Sequence, residues 1–418
     1  MNLLRYRTLI KSCSSLVKMS RRFCSTIDYE AKPIFLDNQA TTPIDPRVFD
    51  EMVPHMTRDF GNPHSTAHIY GTKQMKVCDK ARERVADCIS TCPSNIIFLS
   101  GATEANNTAI KGVSRALKSS RNEIITFETE HKCVLESFYD LEKEGMKIKI
   151  LPVEPTGLIN LDLLKEAISD KTLLVTAMAV NNEIGVIHSL KEIGALCKEH
   201  GAYFHTDAAQ GIGKARINVT DMNIDMLSLT GHKFYGPKGI GALYISQELQ
   251  GKLKPLMSGG GQEKGIRSGT LTPFLLSGLG KACQLATSEF DRDKEWVSSL
   301  QSYFFKTLSD KVEGIHLNGD PDHRYQGNLN IAIEGVYSSR LISDCTQVAM
   351  SSGAACLNDD LLDECDLGAP SYVLSALQIP KTLALSSVRF SFGRFTTKEE
   401  VEAALGYLQK SIIKLRNQ

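Results

Sequence analysis

The chain has 418 residues, which sets an expectation of two or three domains rather than one simple core. Its 48 basic and 48 acidic side chains cancel, so its overall charge gives no reason to expect a nucleic-acid or other polyanionic partner. The longest apolar run, near "LLVTAMAV" (173–180), falls far short of the ~20 residues that a membrane span needs, so a soluble protein is expected.

Eleven cysteines, an odd number, are scattered without the paired spacing of a zinc site or a disulfide framework. A reducing compartment and no bound metal are the expectation.

The first 27 residues differ from the rest. They carry Arg5, Arg7, Lys11, Lys18, Arg21 and Arg22, and no acid occurs before Asp28. A basic, serine-containing, acid-free segment whose apolar stretches are broken by charge fits a mitochondrial transit peptide better than a secretory signal. The bland alternative is a basic tail.

From Pro33 onward, short β-branched runs alternate with longer amphipathic ones. "NIIFLS" (95–100), "EIITF" (123–127), "KIKILPV" (147–153), "LLVTAMAV" (173–180), "AYFHTD" (202–207), "IDMLSLT" (224–230) and "GALYI" (241–245) read as strands. Stretches such as "LDLLKEAISD" and "LKEIGALCKEHG" read as helices between them. This alternation predicts an α/β domain with a mainly parallel sheet covered on both faces, with ligands gathered at the strands' carboxyl ends. Polar motifs fall at those ends: "SGATE", "TEH", "NNE", "TDAAQ" and "TGHK". After "SGGGQEKGIRSGT" (258–270) helices dominate to about residue 312. Strands at "NLNIAI" (328–333) and "SSVRFSFG" (386–393) follow, and then a last helix from Lys398. The expected division is therefore a transit segment at 1–27, a large domain at 28–270 and a smaller α+β domain at 271–418.

Each motif has an ordinary reading. "SGATEANN" opens a helix, whose unpaired N–H groups suit a phosphate, although capping by Ser100 or Thr103 is the commoner use. Asp207 ends a strand where a capping aspartate is unremarkable, and most lysines like Lys233 are exposed and idle. Together they supply what pyridoxal phosphate requires: a phosphate cradle, an amine to anchor the aldehyde, and a carboxylate for the pyridine nitrogen. Asn182 and Gln210 can reach the ring's phenolic oxygen, and His131 can lie over the ring and move protons.

Read in order, "IFLDNQATTPIDPRV", "FGNPHS", "SGATEANN", "TEHK", "VNNEIGV", "HTDAAQ", "GHKFYGPKG", "GGGQEKGIRSGT", "MSSGAAC" and "VRFSFGRFTT" resemble a class V, fold-type-I cysteine desulfurase of the mitochondrial iron–sulfur type, from about residue 33 to the end. The resemblance implies a fold-type-I architecture with a seven-stranded sheet. It makes Lys233 the Schiff-base lysine, and Ala102, Thr103, Thr230 and His232 part of the phosphate site. Thr270 would come from a partner subunit, which implies a homodimer. Asp207, Gln210, Asn182 and His131 keep the ring roles above.

The resemblance also implies that Cys356, on the small-residue loop within 350–371, takes sulfur from L-cysteine as a persulfide and leaves alanine. Burial as an inert thiol is the usual fate of a free cysteine, but the polar, glycine-containing surroundings of Cys356 argue against it. Arg389 would clamp the substrate carboxylate through two parallel N–H bonds, with Asn182 beside it. The implied role is sulfur supply for iron–sulfur clusters in the mitochondrial matrix, with transfer RNA thiolation a further destination. Implied partners are a LYR-motif protein with acyl carrier protein, a cluster scaffold and frataxin.

Two departures stand out. The Cys356 loop is longer than the family pattern, with an acidic insert, "NDDLLDECD", carrying Cys365. The sequence also ends at "KLRNQ", without the extension by which close relatives engage the scaffold. The alternative readings are a selenocysteine lyase, which also carries "GAAC", an aminotransferase of the same fold, and a non-catalytic scaffolding descendant.

Overall fold

The computed structural model describes residues 32–352 and 369–418. The expected transit segment, Cys356 and Cys365 therefore lie outside the described residues. Seven strands form one sheet: β1 (Ile96–Leu99), β2 (Glu123–Phe127), β3 (Lys147–Leu151), β4 (Thr172–Thr176), β5 (Tyr203–Asp207), β6 (Met226–Thr230) and β7 (Gly241–Ile245). Their spatial order is β1-β7-β6-β5-β4-β2-β3. β7 pairs antiparallel with both β1 and β6, whereas the other neighbours run parallel. The mainly parallel seven-stranded sheet expected from the sequence is present.

The sheet is buried on both faces, and strand alternation divides its side chains between two apolar layers. In β1, Ile96 and Phe98 join one layer while Ile97 and Leu99 join the other; in β7, Ala242 and Tyr244 oppose Leu243 and Ile245. The helices Ala102–Leu117 and Lys132–Lys143 cover one face through Ala105, Ala109, Ile110, Val113, Val134 and Phe138. Those apolar positions recur at helical spacing, which is why these segments coil rather than extend. The helices Ile69–Cys88, Leu190–Glu199 and Pro273–Ser288 pack on the other face. Each fully buried Leu, Ile or Phe contributes about 1.5–3 kcal/mol, so the two layers together hold the sheet rigid under the site.

Beyond residue 311 a second, antiparallel sheet forms from β8 (Ile315–Leu317), β9 (Asn328–Ile333) and β10 (Ser387–Ser391), in the order β10-β9-β8. The terminal helix Lys398–Arg416 opens with a complete capping box between Thr397 and Glu400. The segment Phe35–Gln418 is a single compact unit.

Candidate active site

A cleft of about 490 Å³ opens at the carboxyl ends of β4, β5 and β6. Ala102, Thr103, His131, Asn182, Asp207, Gln210, Thr230, His232, Lys233 and Arg389 all line it, so every described candidate but Thr270 meets in one place. Thr270 lies instead in a separate groove with Phe60, Asn62 and Phe274. Its expected contribution was to the site of a second copy, so it has no part in this chain's own cleft.

The chemistry at one end suits an anion. The helix Ala102–Leu117 starts at Gly101, and no side chain caps it. Its first turn therefore leaves N–H groups and the positive end of the helix dipole facing the cleft. Thr103 stands exposed in that turn, and the turn is tied down by Glu104, which accepts the Ser100 N–H at 2.6 Å and pairs with Arg267 at 3.1 Å. Gly241 lets β7 pass close beneath: a Cβ there would press on the Leu229 carbonyl and sit 2.7 Å from the Gly101 Cα. Thr230 Oγ1 makes only a long contact, 3.3 Å, to the Ile240 carbonyl. Burial, helped by Lys233, Lys238 and Lys214, pushes the His232 pKa down to about 4. Its imidazole is thus neutral near pH 7, and an adjacent phosphate dianion would raise the value again.

The other end is buried and already bonded. Asp207 Oδ1 accepts the Ala209 N–H at 2.8 Å, and Oδ2 accepts Asn106 Nδ2 at 2.6 Å. A carboxylate with two protein donors keeps lone pairs for a third, which is what a protonated pyridine nitrogen needs. His131 caps the helix Lys132–Lys143, its Nδ1 accepting the Cys133 N–H at 3.2 Å. Gln210 Nε2 donates to the Gln39 carbonyl at 2.9 Å, and Gln210 Oε1 accepts from Lys214. Burial, with Lys233 and Arg389 nearby, drives the Lys214 pKa well below that of an ordinary lysine.

Lys233 occupies the short 3-10 turn after β6, and its Nζ donates to the carbonyls of Gln39 (2.9 Å) and Ala40 (2.7 Å). Arg389 sits in β10 and is 1% exposed. Its guanidinium donates to the Asn182 carbonyl at 2.8 Å and to Asp37 at 2.7 Å, while the buried Nε makes no hydrogen bond among the described residues. An anchoring amine, a ring-nitrogen acceptor, an uncapped helix start and a buried guanidinium together fit pyridoxal phosphate and an amino-acid carboxylate.

Sequence reasoning missed Asp37, Gln39, Asn106 and Cys133. Asn106 was findable: it is a polar residue on the buried face that Ala105, Ala109 and Ile110 define. Asp37 and Gln39 reach the site only through tertiary contacts across the chain, and no local pattern marks them.

The class-V aminotransferase family matches residues 34–404. A probable mitochondrial cysteine desulfurase of Dictyostelium discoideum is 49% identical over 93% of this chain and 85% of its own. A solved NifS-like protein superposes with a TM-score of 0.83 at 31% identity, covering 90% of this chain and 98% of its own. A solved SspA in complex with cysteine gives a TM-score of 0.75 at 36% identity, over 87% of this chain and 99% of its own. The chain therefore belongs to the class-V aminotransferase family and, within it, to the cysteine desulfurases.

Proposed function

We propose that this chain takes sulfur from L-cysteine, releases L-alanine and holds the sulfur as a persulfide on Cys356. The observation that carries this reading is the convergence of Lys233, Asp207, His131 and Arg389 in one cleft, on a chain of this family. Pyridoxal phosphate, when bound, supplies the electron sink that lets bonds at the substrate's carbons break.

The chain's own residues do the rest. Lys233 anchors the cofactor through its amine, and the carbonyls of Gln39 and Ala40 already aim its Nζ into the cleft. Asp207 accepts from the ring nitrogen, and Gln210 and Asn182 serve the phenolic oxygen. Gln210 must give up part of its present bonding to do so, because Gln39 and Lys214 occupy both ends of its amide. Thr230, His232 and the helix start at Ala102 and Thr103 receive the phosphate, joined by Thr270 of a second copy in a homodimer. Arg389 holds the substrate carboxylate, and His131 carries a proton. The Cys356 thiolate forms an S–S bond as the substrate's C–S bond breaks, and protonation of the carbon then gives alanine. The division expected near residue 270 would put Lys233 and Arg389 on opposite sides of that cleft.

A SspA structure with bound cysteine and the mitochondrial Dictyostelium relative support the substrate and the compartment. On this reading residues 1–27 direct the chain to the matrix. The persulfide then serves iron–sulfur cluster assembly, with a LYR-motif protein, acyl carrier protein, a cluster scaffold and frataxin as partners.

Two variants test the assignment. Cys356→Ala is expected to keep the cofactor's visible absorption but lose persulfide and turnover, whereas Lys233→Ala loses cofactor retention and turnover together. Sulfide release by Cys356→Ala at the wild-type rate would remove the persulfide role.

A further inference from the structure

Cys133 is a thiol inside the cleft that the reaction above does not use. Its bonding is directional. Asn106 is fully buried, and its Nδ2 donates to Asp207 Oδ2 at 2.6 Å and to Cys133 Sγ at 3.2 Å. The carboxylate only accepts, which orients the amide nitrogen toward it and leaves the second N–H for the sulfur. On the other side, Cys133 Sγ lies 3.0 Å from His131 Nδ1. The Cys133 backbone N–H also points at Nδ1, at 3.2 Å, and an N–H can only donate. Nδ1 is therefore an acceptor, and the thiol proton is the one that lies between Sγ and Nδ1. The line runs from Asp207 through Asn106 and Cys133 to His131, with Nδ1 shared between the backbone N–H and the thiol and with Asn106 Oδ1 left without a partner among the described residues.

Resting on the desulfurase reading for its catalytic meaning, we propose that Cys133 is a positioning residue for His131. Its thiol donates to the Nδ1 that the Cys133 backbone N–H already marks as an acceptor, which reinforces the tautomer with the proton on Nε2, and it ties the imidazole through Asn106 to Asp207. A donor aimed at a bare nitrogen stabilises the neutral ring, so the thiol lowers the affinity of His131 for a second proton. Helix capping by the backbone N–H alone would hold the ring in place but would leave the side chain at 133 irrelevant.

Ionisable groups that line the cleft with His131 come from separate elements: Glu104 in the helix Ala102–Leu117, Asp207 at the end of β5, His232, Lys233 and Lys238 after β6, and Arg389 in β10, with Glu130 beside His131 in the chain. Burial, reinforced by the Asp207 charge, holds the Glu130 carboxyl well above the usual range, so it adds little fixed charge. None of these groups changes when only position 133 is varied.

The test is a nitrogen NMR titration of the histidine side chains in the full-length chain, with the His131 signals assigned by loss in His131→Gln. Wild type is expected to show a bare Nδ1 in the neutral ring. Cys133→Ala should raise the His131 midpoint by about half a unit, the worth of one weak hydrogen bond. Cys133→Ser, whose hydroxyl both accepts and donates, should return it to the wild-type value. In the holoenzyme, Cys133→Ala should lower kcat about tenfold, a fraction of what acid–base catalysis supplies, with KM changed by less than about twofold and the acid limb moved to higher pH. Cys133→Ser should recover most of that loss.

A proton on Nδ1 of neutral wild-type His131, an unshifted midpoint in Cys133→Ala, or a serine variant that behaves like alanine would each overturn the proposal. The wild-type spectrum alone decides the first of these, even if a variant does not fold. The titrations require no turnover, so they fail or succeed separately from the desulfurase reading.

Discussion

The two ends of the cleft are built on opposite plans. Around Asp207 the side chains are buried and already hydrogen-bonded: Asn106 is fully enclosed, Asp207 is 5% exposed and Gln210 is 4% exposed. At the start of the helix Ala102–Leu117, no side chain caps the N–H groups, Thr103 is exposed, and Thr230 makes only a long contact. The ring end is thus organised by the protein before any ligand arrives. The other end has donors that a bound anion would satisfy, which suits the cofactor phosphate on the proposed reading. Rigid preorganisation matters where charge changes during reaction, while an open donor set is enough where a constant dianion is gripped.

Breaking the substrate side of the buried end should have the largest effect. Arg389→Lys should raise KM for L-cysteine about a hundredfold with a smaller change in kcat, because lysine cannot reproduce the planar fork that faces both Asp37 and a carboxylate. Steady-state kinetics check this; an unchanged KM would place the substrate carboxylate elsewhere.

The phosphate end is sharpened by Gly241→Ala. The added methyl would press on the Leu229 carbonyl and lie 2.7 Å from Gly101 Cα. Overpacking of this kind costs about 1–3 kcal/mol, read by denaturant unfolding, and it should weaken cofactor retention while leaving the Asp207 network intact.

The smallest effect concerns a buried neutral histidine beside neither end. Burial lowers the His188 pKa from 6.5 to about 4, so the unfolded chain binds its proton first as pH falls. Stability contributed at neutral pH is lost progressively below about 6.5, reaching on the order of 1 kcal/mol near pH 5.5. Unfolding at the two pH values should show that loss, and His188→Gln should remove it from the difference.

Strands bounded by polar or glycine residues were legible to the residue, as in "EIITF", "GALYI" and "NLNIAI". "LLVTAMAV" over-ran: β4 ends at Thr176, yet Ala177 to Val180 remain buried, and apolarity alone cannot separate a strand from a buried segment beyond it. β8 was missed because three residues, with His316 exposed between two half-buried neighbours, give no usable period. At the site, residues on strand ends and motif turns could be named from sequence. Asn106 could have been flagged as a polar residue on a buried helix face, whereas Cys133, Asp37 and Gln39 could not, because their roles come from contacts with other elements.

The most direct measurement is alanine released from L-cysteine and, in parallel, from L-selenocysteine by the purified protein loaded with pyridoxal phosphate and supplied with a thiol reductant. Many turnovers with cysteine and a persulfide on Cys356 are expected. Alanine from selenocysteine alone, with none from cysteine, would contradict the desulfurase reading.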